Sequence, residues 1–264
     1  MSISTTERLF ATTNLDPALA EAVEAAPADR ILEGIIRLED PGQVPAGFRV
    51  VSRFHRICTG RFAAGLAWTI RRDPNVISFK AGRPLGHHDD GLRSPDPLDI
   101  QSRDIQSWTR ADNERLPFTG RGCIVAALDF GLDFAHPNFL NADGTTRLLA
   151  LWDQGAAYDP AHPDRFGYGR QYTPAEINAA LAAADPYQAL GYGPQPSDTG
   201  KGTHGAHTMD IAAGNGRAAG SRPGAACEAA LLFVHLSTRR LGTSENLGDS
   251  VRLLEALDWV DETA

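Results

Sequence analysis

A buried parallel strand is strongly indicated by the apolar run CIVAAL at residues 123–128. Nearly continuous apolar runs of this length are typical of strands covered on both faces, whereas strands with one solvent-exposed face alternate apolar and polar residues. Further strands are predicted at 145–154 and 228–237. Helices are predicted at 175–184, after a capping box of Thr173 and Glu176, and at 249–260. This order predicts an α/β fold with a mainly parallel sheet flanked by helices.

The first 85 residues predict a separate, small α+β domain. A helix is expected after Asp16, because aspartate caps helix N-termini and the next residue is a proline. A short helix at 64–72 and strands are also predicted, the strands at 31–40, 48–64 and 75–82. Residues 86–119 are rich in Gly, Pro, Ser and Asp, which is typical of a solvated linker. The larger domain is then expected at 120–264.

Charge and cysteine content disfavour several functional classes. The 264-residue chain carries a formal net charge of -8, so no nucleic-acid or anionic-membrane surface is expected. No apolar run approaches the roughly 20 residues of a membrane span, and the N-terminus lacks the basic and apolar regions of a secretory signal. Three widely spaced cysteines are typical of reduced thiols, so a cytoplasmic location is predicted.

Asp129 and His204 are the candidate catalytic residues. Asp129 directly follows the predicted strand at 123–128, and ligands gather at the carboxyl ends of strands in open α/β sheets. His204 is expected at the start of a helix. An aspartate that orients a histidine, which in turn takes a proton from a serine, is the arrangement of a Ser-His-Asp triad.

The sequence around Asp129 resembles the aspartate motif of the subtilisin-like serine proteases. In that family an apolar strand ends in D-S/T-G and continues I-D-x-x-H-P. The corresponding stretch here is VAALDFGLDFAHPNF, in which the matching residues are Asp129, Gly131, Asp133, His136 and Pro137. Phe130 replaces the serine or threonine, so a hydroxyl beside the aspartate is lost.

The sequence around His204 resembles the histidine motif of the same family, H-G-T-H-V-A-G-x-x-A-G. The stretch HGAHTMDIAAG matches it at His204, Gly205, His207, Ala213 and Gly214, and departs from it at Ala206, Thr208, Met209 and Asp210. The resemblance implies that His207 is a structural neighbour of His204. Asp210 is a carboxylate on the predicted helix and is a candidate to interact with a neighbouring loop.

The resemblance implies a catalytic role for each member of the pair. Asp129 would orient His204, and His204 would act first as general base and then as general acid. Protein or peptide substrates are implied, and no cofactor or metal is expected. Segment 1–85 is similar in pattern to the family's propeptide, which acts as chaperone and inhibitor of the catalytic domain.

The family's serine motif, G-T-S-x-A/S-x-P, and the asparagine that precedes it are absent from this sequence. Ser244 lies in LGTSENL, but Glu-Asn follows it and it comes too early in the family's order, so we do not expect it to be the nucleophile. The serine is therefore expected on a second polypeptide, formed by internal cleavage or encoded as a split subunit; an inert truncation is the third explanation. Its strands would lie beside the strand that ends at Asp129, whose edge would otherwise be open.

Alternative functions use the same residues differently. An inactive pseudoprotease or peptide-binding subunit would retain the fold without the chemistry. A metal-dependent hydrolase would use His204 and His207, with Asp129 or Asp210 as third ligand, although no H-E-x-x-H spacing is present. The run at 87–90 (HHDD) is interpreted as solvated linker rather than a metal site. Three aromatic residues in the insertion at 151–202 are interpreted as packing, with a cleft wall as the alternative: Trp152, Tyr187 and Tyr192.

Overall fold

Two compact units are formed by the residues that the computed structural model describes, which are 15–83, 118–160, 164–194, 203–218, 222–237 and 250–264. The first unit contains the described residues up to 83 together with 250–262. The second contains those from 118 to 237, with 263–264. The predicted linker at 86–119 falls almost entirely outside the described residues, as do the HHDD run and Ser244.

The first unit is built on a four-stranded antiparallel sheet of order β2-β3-β1-β4. Its strands are β1 (Ile31–Leu38), β2 (Arg49–Phe54), β3 (Ile57–Ala63) and β4 (Val76–Lys80), and its helices are α1 (Pro17–Glu24), α2 (Ala67–Arg72) and α6 (Ser250–Thr263, of which 250–262 belong to this unit). A short 3₁₀ turn at Ala64–Leu66 precedes α2. Alternate residues of the strands point into an apolar core that α1 and α2 also enter; its members include Leu19, Ile36, Phe62, Ile70 and Phe79.

The predicted single strand at 48–64 is wrong, because the chain reverses within it. Strands β2 and β3 form a hairpin across His55 and Arg56, and His55 has a φ of 52°. Tight hairpin turns need residues with positive φ, and glycine or asparagine normally provides them. Neither residue is present at this turn, so the sequence contained no turn signal.

The opposite face of this sheet carries charged side chains, and α6 covers them. The Glu255 carboxylate is fully buried, accepts two hydrogen bonds from the Arg61 guanidinium at 2.9 and 3.1 Å, and accepts a third from the Thr59 hydroxyl at 3.0 Å. Glu33, one strand away, pairs with Arg61 at 3.3 Å and with Arg252 at 2.9 Å. The sequence predicted α6 within segment 120–264, whereas the structure groups its residues up to 262 with the N-terminal unit.

The second unit is built on a four-stranded sheet of order β5-β8-β6-β7. Strands β5, β8 and β6 are parallel, and β7 is antiparallel to β6. Its strands are β5 (Ile124–Asp129), β6 (Leu148–Asp153), β7 (Arg170–Tyr172) and β8 (Ala230–His235), and its helices are α3 (Pro174–Leu181), α4 (Pro186–Leu190) and α5 (His204–Ala213). The predicted mixed α/β fold is confirmed in this coarse form.

Local sequence explains the ends of several elements. Thr173 and Glu176 form the predicted capping box at the start of α3, each side chain bonding the other's backbone N–H. Helix α4 was not predicted from the sequence. There Asp185 accepts hydrogen bonds from two backbone N–H groups, and Pro186 follows it, which is a helix-start signal that the sequence analysis missed.

No helix in the described part of the chain is both long and apolar enough to cross a membrane.

Candidate catalytic site

The carboxyl ends of three parallel strands bring polar side chains to one edge of the sheet. Asp129 is the last residue of β5, His235 of β8 and Asp153 of β6. In the strand pairing, His235 lies opposite both aspartates. Registered residues of neighbouring strands point to the same face of a sheet. The three side chains therefore form one row at the edge where α/β proteins place their chemistry.

Helix α5 begins next to the carboxyl end of β5. The Gly205 N–H donates to the Phe130 carbonyl oxygen at 2.8 Å, which ties the first turn of the helix to the residue after Asp129. A Cβ on Gly205 would lie 2.5 Å from the Gly131 carbonyl oxygen and 2.6 Å from Cζ of Phe233. Only a glycine lets the helix start come this close, so Gly205 sets the position of the neighbouring His204.

The structure brings together the two residues predicted as the catalytic pair. His204 Nδ1 lies 2.6 Å from Asp129 Oδ1, across a sequence separation of 75 residues. The carboxylate is largely buried, with 11% of its side chain exposed, whereas the imidazole is 51% exposed. Asp129 Oδ1 also accepts the Phe130 N–H at 2.6 Å. A carboxylate bonded at Nδ1 orients the ring and leaves Nε2, on the opposite side, as the nitrogen for proton transfer.

Two further polar residues of α5 are His207 and Asp210. His207 is exposed, and Asp210 accepts a hydrogen bond from Asn138 Nδ2 at 2.7 Å, which is the loop interaction considered for it. Asn138 follows the matched His136-Pro137 of the aspartate motif. Within the described ranges, no group of three His, Cys, Asp or Glu side chains has the geometry of a metal site. The ligand set of the metal hypothesis is therefore not assembled there.

The three aromatic residues named in the insertion are packing residues. Trp152 and Tyr192 are almost fully buried, and Tyr187 is partly buried against Phe134. Burial raises the pKa of both tyrosines, and for Tyr187 the hydrogen bond that it donates to Asp133 raises the pKa further. Each hydroxyl also contacts the backbone or side chain just after Asp129: Tyr192 bonds Leu132, and Tyr187 bonds Asp133.

His235 is a polar residue of this edge that the sequence analysis did not single out. Its Nδ1 atom is buried and has no hydrogen-bond partner among the described residues. Burial lowers the pKa of His235 below the ordinary value of 6.5, against the opposing influence of the Asp153 and Asp129 charges. The sequence signal that could have identified His235 is its position at the end of an apolar strand, because functional groups gather at the carboxyl ends of strands in such sheets.

Comparison with known proteins gives little further guidance. No protein-family model matches the chain, and no curated protein matches it. The solved structure of the Clostridium perfringens CspB protease is similar to it, with 24% sequence identity and a TM-score of 0.46. That match covers 60% of this chain and 29% of the other, so the chain spans less than a third of that protein's length.

Proposed function

We propose that this chain supplies the aspartate and histidine of a subtilisin-like serine endopeptidase. The observation that carries the proposal is the 2.6 Å contact between His204 Nδ1 and Asp129 Oδ1. Both residues lie in motifs that resemble those of the family, and the two motifs occur in the family's order. The contact joins them at the carboxyl edge of a sheet, where a substrate has access to the half-exposed imidazole.

In this function His204 takes the proton of a serine hydroxyl through Nε2 and later donates it to the leaving amine. Asp129 holds the ring in the required tautomer and stabilises the imidazolium that forms. Peptide-bond hydrolysis also needs the nucleophile and hydrogen-bond donors for the oxyanion, which dominate acyl-transfer catalysis. We propose that both are supplied by a second polypeptide, arising by internal cleavage or as a split subunit.

The edge of β5 supports a partner of this kind. In the part of the chain that the structure describes, β5 pairs with β8 on one side only. Its apolar residues Ile124–Leu128 are all partly exposed, although their composition is that of a buried strand. Open apolar edges favour pairing with another strand. A strand of the serine-bearing polypeptide would satisfy this edge and bring its own carboxyl end toward Asp129.

The substrate is a protein or peptide, bound in extended form by backbone pairing. The N-terminal unit is proposed to act as a propeptide-like domain, in keeping with its α+β architecture. The three cysteines are free thiols, which supports a cytoplasmic location.

A fluorophosphonate probe tests the proposal, because it labels only serines that an adjacent base activates. The chain is purified with its native partners, treated with the probe and analysed by intact mass. We expect a labelled serine on a co-purifying polypeptide and none in residues 1–264.

His204→Ala is expected to abolish this labelling, and Ile211→Ala, at an exposed position on the same helix, is the control that retains it. A complete assembly without a labelled serine would contradict the proposal and favour the inactive peptide-binding subunit. A labelled serine within residues 1–264 would contradict the two-polypeptide arrangement.

A further inference from the structure

The backbone from Asp129 to Leu132, here called the aspartate loop, holds both members of the catalytic pair. The Phe130 N–H donates to Asp129 Oδ1, and the Phe130 carbonyl oxygen accepts the N–H of Gly205 at the start of α5. Gly131 has a φ of +67°, so the chain turns sharply between these bonds and Leu132. A movement of this loop would therefore change the angle of the carboxylate and the position of His204 together.

Tyr192 fixes the far end of the aspartate loop. Its hydroxyl oxygen accepts the Leu132 N–H at 2.9 Å, across 60 residues of sequence. Leu132 is fully buried and Tyr192 is 2% exposed. Because both residues are buried, a water molecule cannot take the place of the hydroxyl as acceptor. An unpaired buried N–H lowers the stability of the fold, so the loop conformation depends on the Tyr192 hydroxyl.

The ring of Tyr192 contacts the strand beside Asp129. It lies edge-on to the His235 imidazole, with ring centroids 5.7 Å apart. His235 is the registered partner of Asp129, and the Leu236 N–H donates to the Asp129 carbonyl oxygen at 3.0 Å. One buried side chain therefore contacts the aspartate loop through its hydroxyl and the adjoining strand end through its ring.

We propose that Tyr192 is a positioning residue for the Asp129–His204 pair. It acts through the aspartate loop and touches neither the substrate nor the reacting atoms. The inference rests on the proposed function, since it assigns Tyr192 to the same site. It predicts that removal of one oxygen atom, in Tyr192→Phe, disturbs the pair while the ring packing remains.

The effect on catalysis is expected in the chemical step. A displacement of about 1 Å in a catalytic group can lower the rate roughly 100-fold. For the assembled enzyme we expect Tyr192→Phe to lower kcat by about tenfold or more, with KM changed less than about twofold, because substrate contacts are untouched. Tyr172→Phe is the matched control. Its hydroxyl donates to the Gly191 carbonyl at 3.3 Å and its ring packs on Tyr192, but among the described residues it makes no hydrogen bond to the aspartate loop.

A proton NMR experiment on the purified chain tests the inference without measuring proteolysis. A histidine Nδ1–H held by a carboxylate gives a strongly downfield resonance, and Asp129→Asn is expected to remove it from the wild-type spectrum. We expect Tyr192→Phe to broaden or shift this resonance and to accelerate hydrogen exchange at the Leu132 amide, and Tyr172→Phe to leave both unchanged.

The outcomes separate the two proposals. A wild-type chain without the downfield resonance would overturn the paired Asp129–His204 and, with it, the proposed function. A resonance that is present in the wild type and unaltered in Tyr192→Phe would overturn the positioning role alone. An equal disturbance by Tyr172→Phe would also overturn it, because the effect would then arise from packing in the aromatic cluster.

Discussion

Gly205 approaches Gly131 so closely that a Cβ on Gly205 would lie 2.5 Å from the Gly131 carbonyl oxygen. A backbone oxygen cannot rotate away as a side chain can, so Gly205→Ala is expected to displace the start of α5. We expect a loss of about 1–3 kcal/mol in the free energy of unfolding, measured by urea denaturation, and loss of the downfield His204 resonance. Gly193→Ala is the control, because a Cβ there meets nothing within 4 Å. A Gly205→Ala protein as stable as this control would contradict the packing argument.

Asp129→Asn should separate geometry from charge in the pair. The amide keeps the shape of the side chain but favours the wrong tautomer of His204, so under the proposed function we expect kcat of the assembled protease to fall by roughly 10⁴-fold. The rate of hydrolysis of a peptide substrate gives the measurement. Asp143→Asn, on an exposed loop before β6, is the matched control and should keep full activity. A residual rate within tenfold of the wild type would show that Asp129 is not part of the mechanism.

His235 should make the second unit sensitive to acid. Because burial lowers the folded-state pKa below 6.5, the unfolded chain binds the proton more readily. Above about pH 6.5 His235 is neutral in both states and does not lower the free energy of unfolding. As the pH falls from that value toward the folded-state pKa, the free energy of unfolding decreases by about 1.4 kcal/mol for each pH unit. Thermal unfolding between pH 4.5 and 7.5 measures this loss.

His235→Gln should remove that part of the pH dependence, since glutamine does not titrate in this range. Parallel curves for His235→Gln and the wild type would show that another group is responsible.

Glu255 should contribute strongly to the stability of the first unit, although it is far in sequence from the strands of that unit. Removing one partner of a buried ion pair leaves the other charge uncompensated, so Glu255→Ala is expected to cost about 3–5 kcal/mol in unfolding free energy. Asp261→Asn, at an exposed position on the same helix, should change it by less than about 0.5 kcal/mol.

The double variant Arg61→Met with Glu255→Leu tests the reason for that cost. Apolar residues of similar size often replace a buried ion pair without loss, so most of the stability should return. A double variant as unstable as Glu255→Ala would indicate that packing of α6, rather than an unpaired Arg61 charge, explains the effect.

Sequence patterns predicted the elements that depend on local chemistry. The apolar run at 123–128 predicted β5, and Thr173 and Glu176 predicted the start of α3, because capping and apolar runs act within a few residues. The turn at His55 was missed, since its positive φ is imposed by the pairing of β2 and β3 and not by a residue that prefers it. The position of α6 depends on the pairing of Glu255 with Arg61, and sequence spacing does not reveal such pairing.

The residues of the candidate site also differ in whether a local sequence pattern predicts them. Asp129 and His204 could be predicted because each lies in a motif with fixed spacing, and the structure places them in contact. Tyr192 and His235 acquire their positions from the three-dimensional register of β5 and β8 and from the packing of the segment at 151–202 against them. No local pattern marks a tyrosine as the acceptor for a backbone N–H that lies 60 residues earlier.

The pairing of Arg61 with Glu255 across 194 residues also sets an order of events during synthesis. At about 5–20 residues per second, a ribosome needs roughly 10–40 s to reach α6 after it has made the strand that carries Arg61. During that interval the charged face of the N-terminal sheet has no helix to cover it. The first unit therefore reaches its final free energy only after α6 has been made, although most of its residues are made long before.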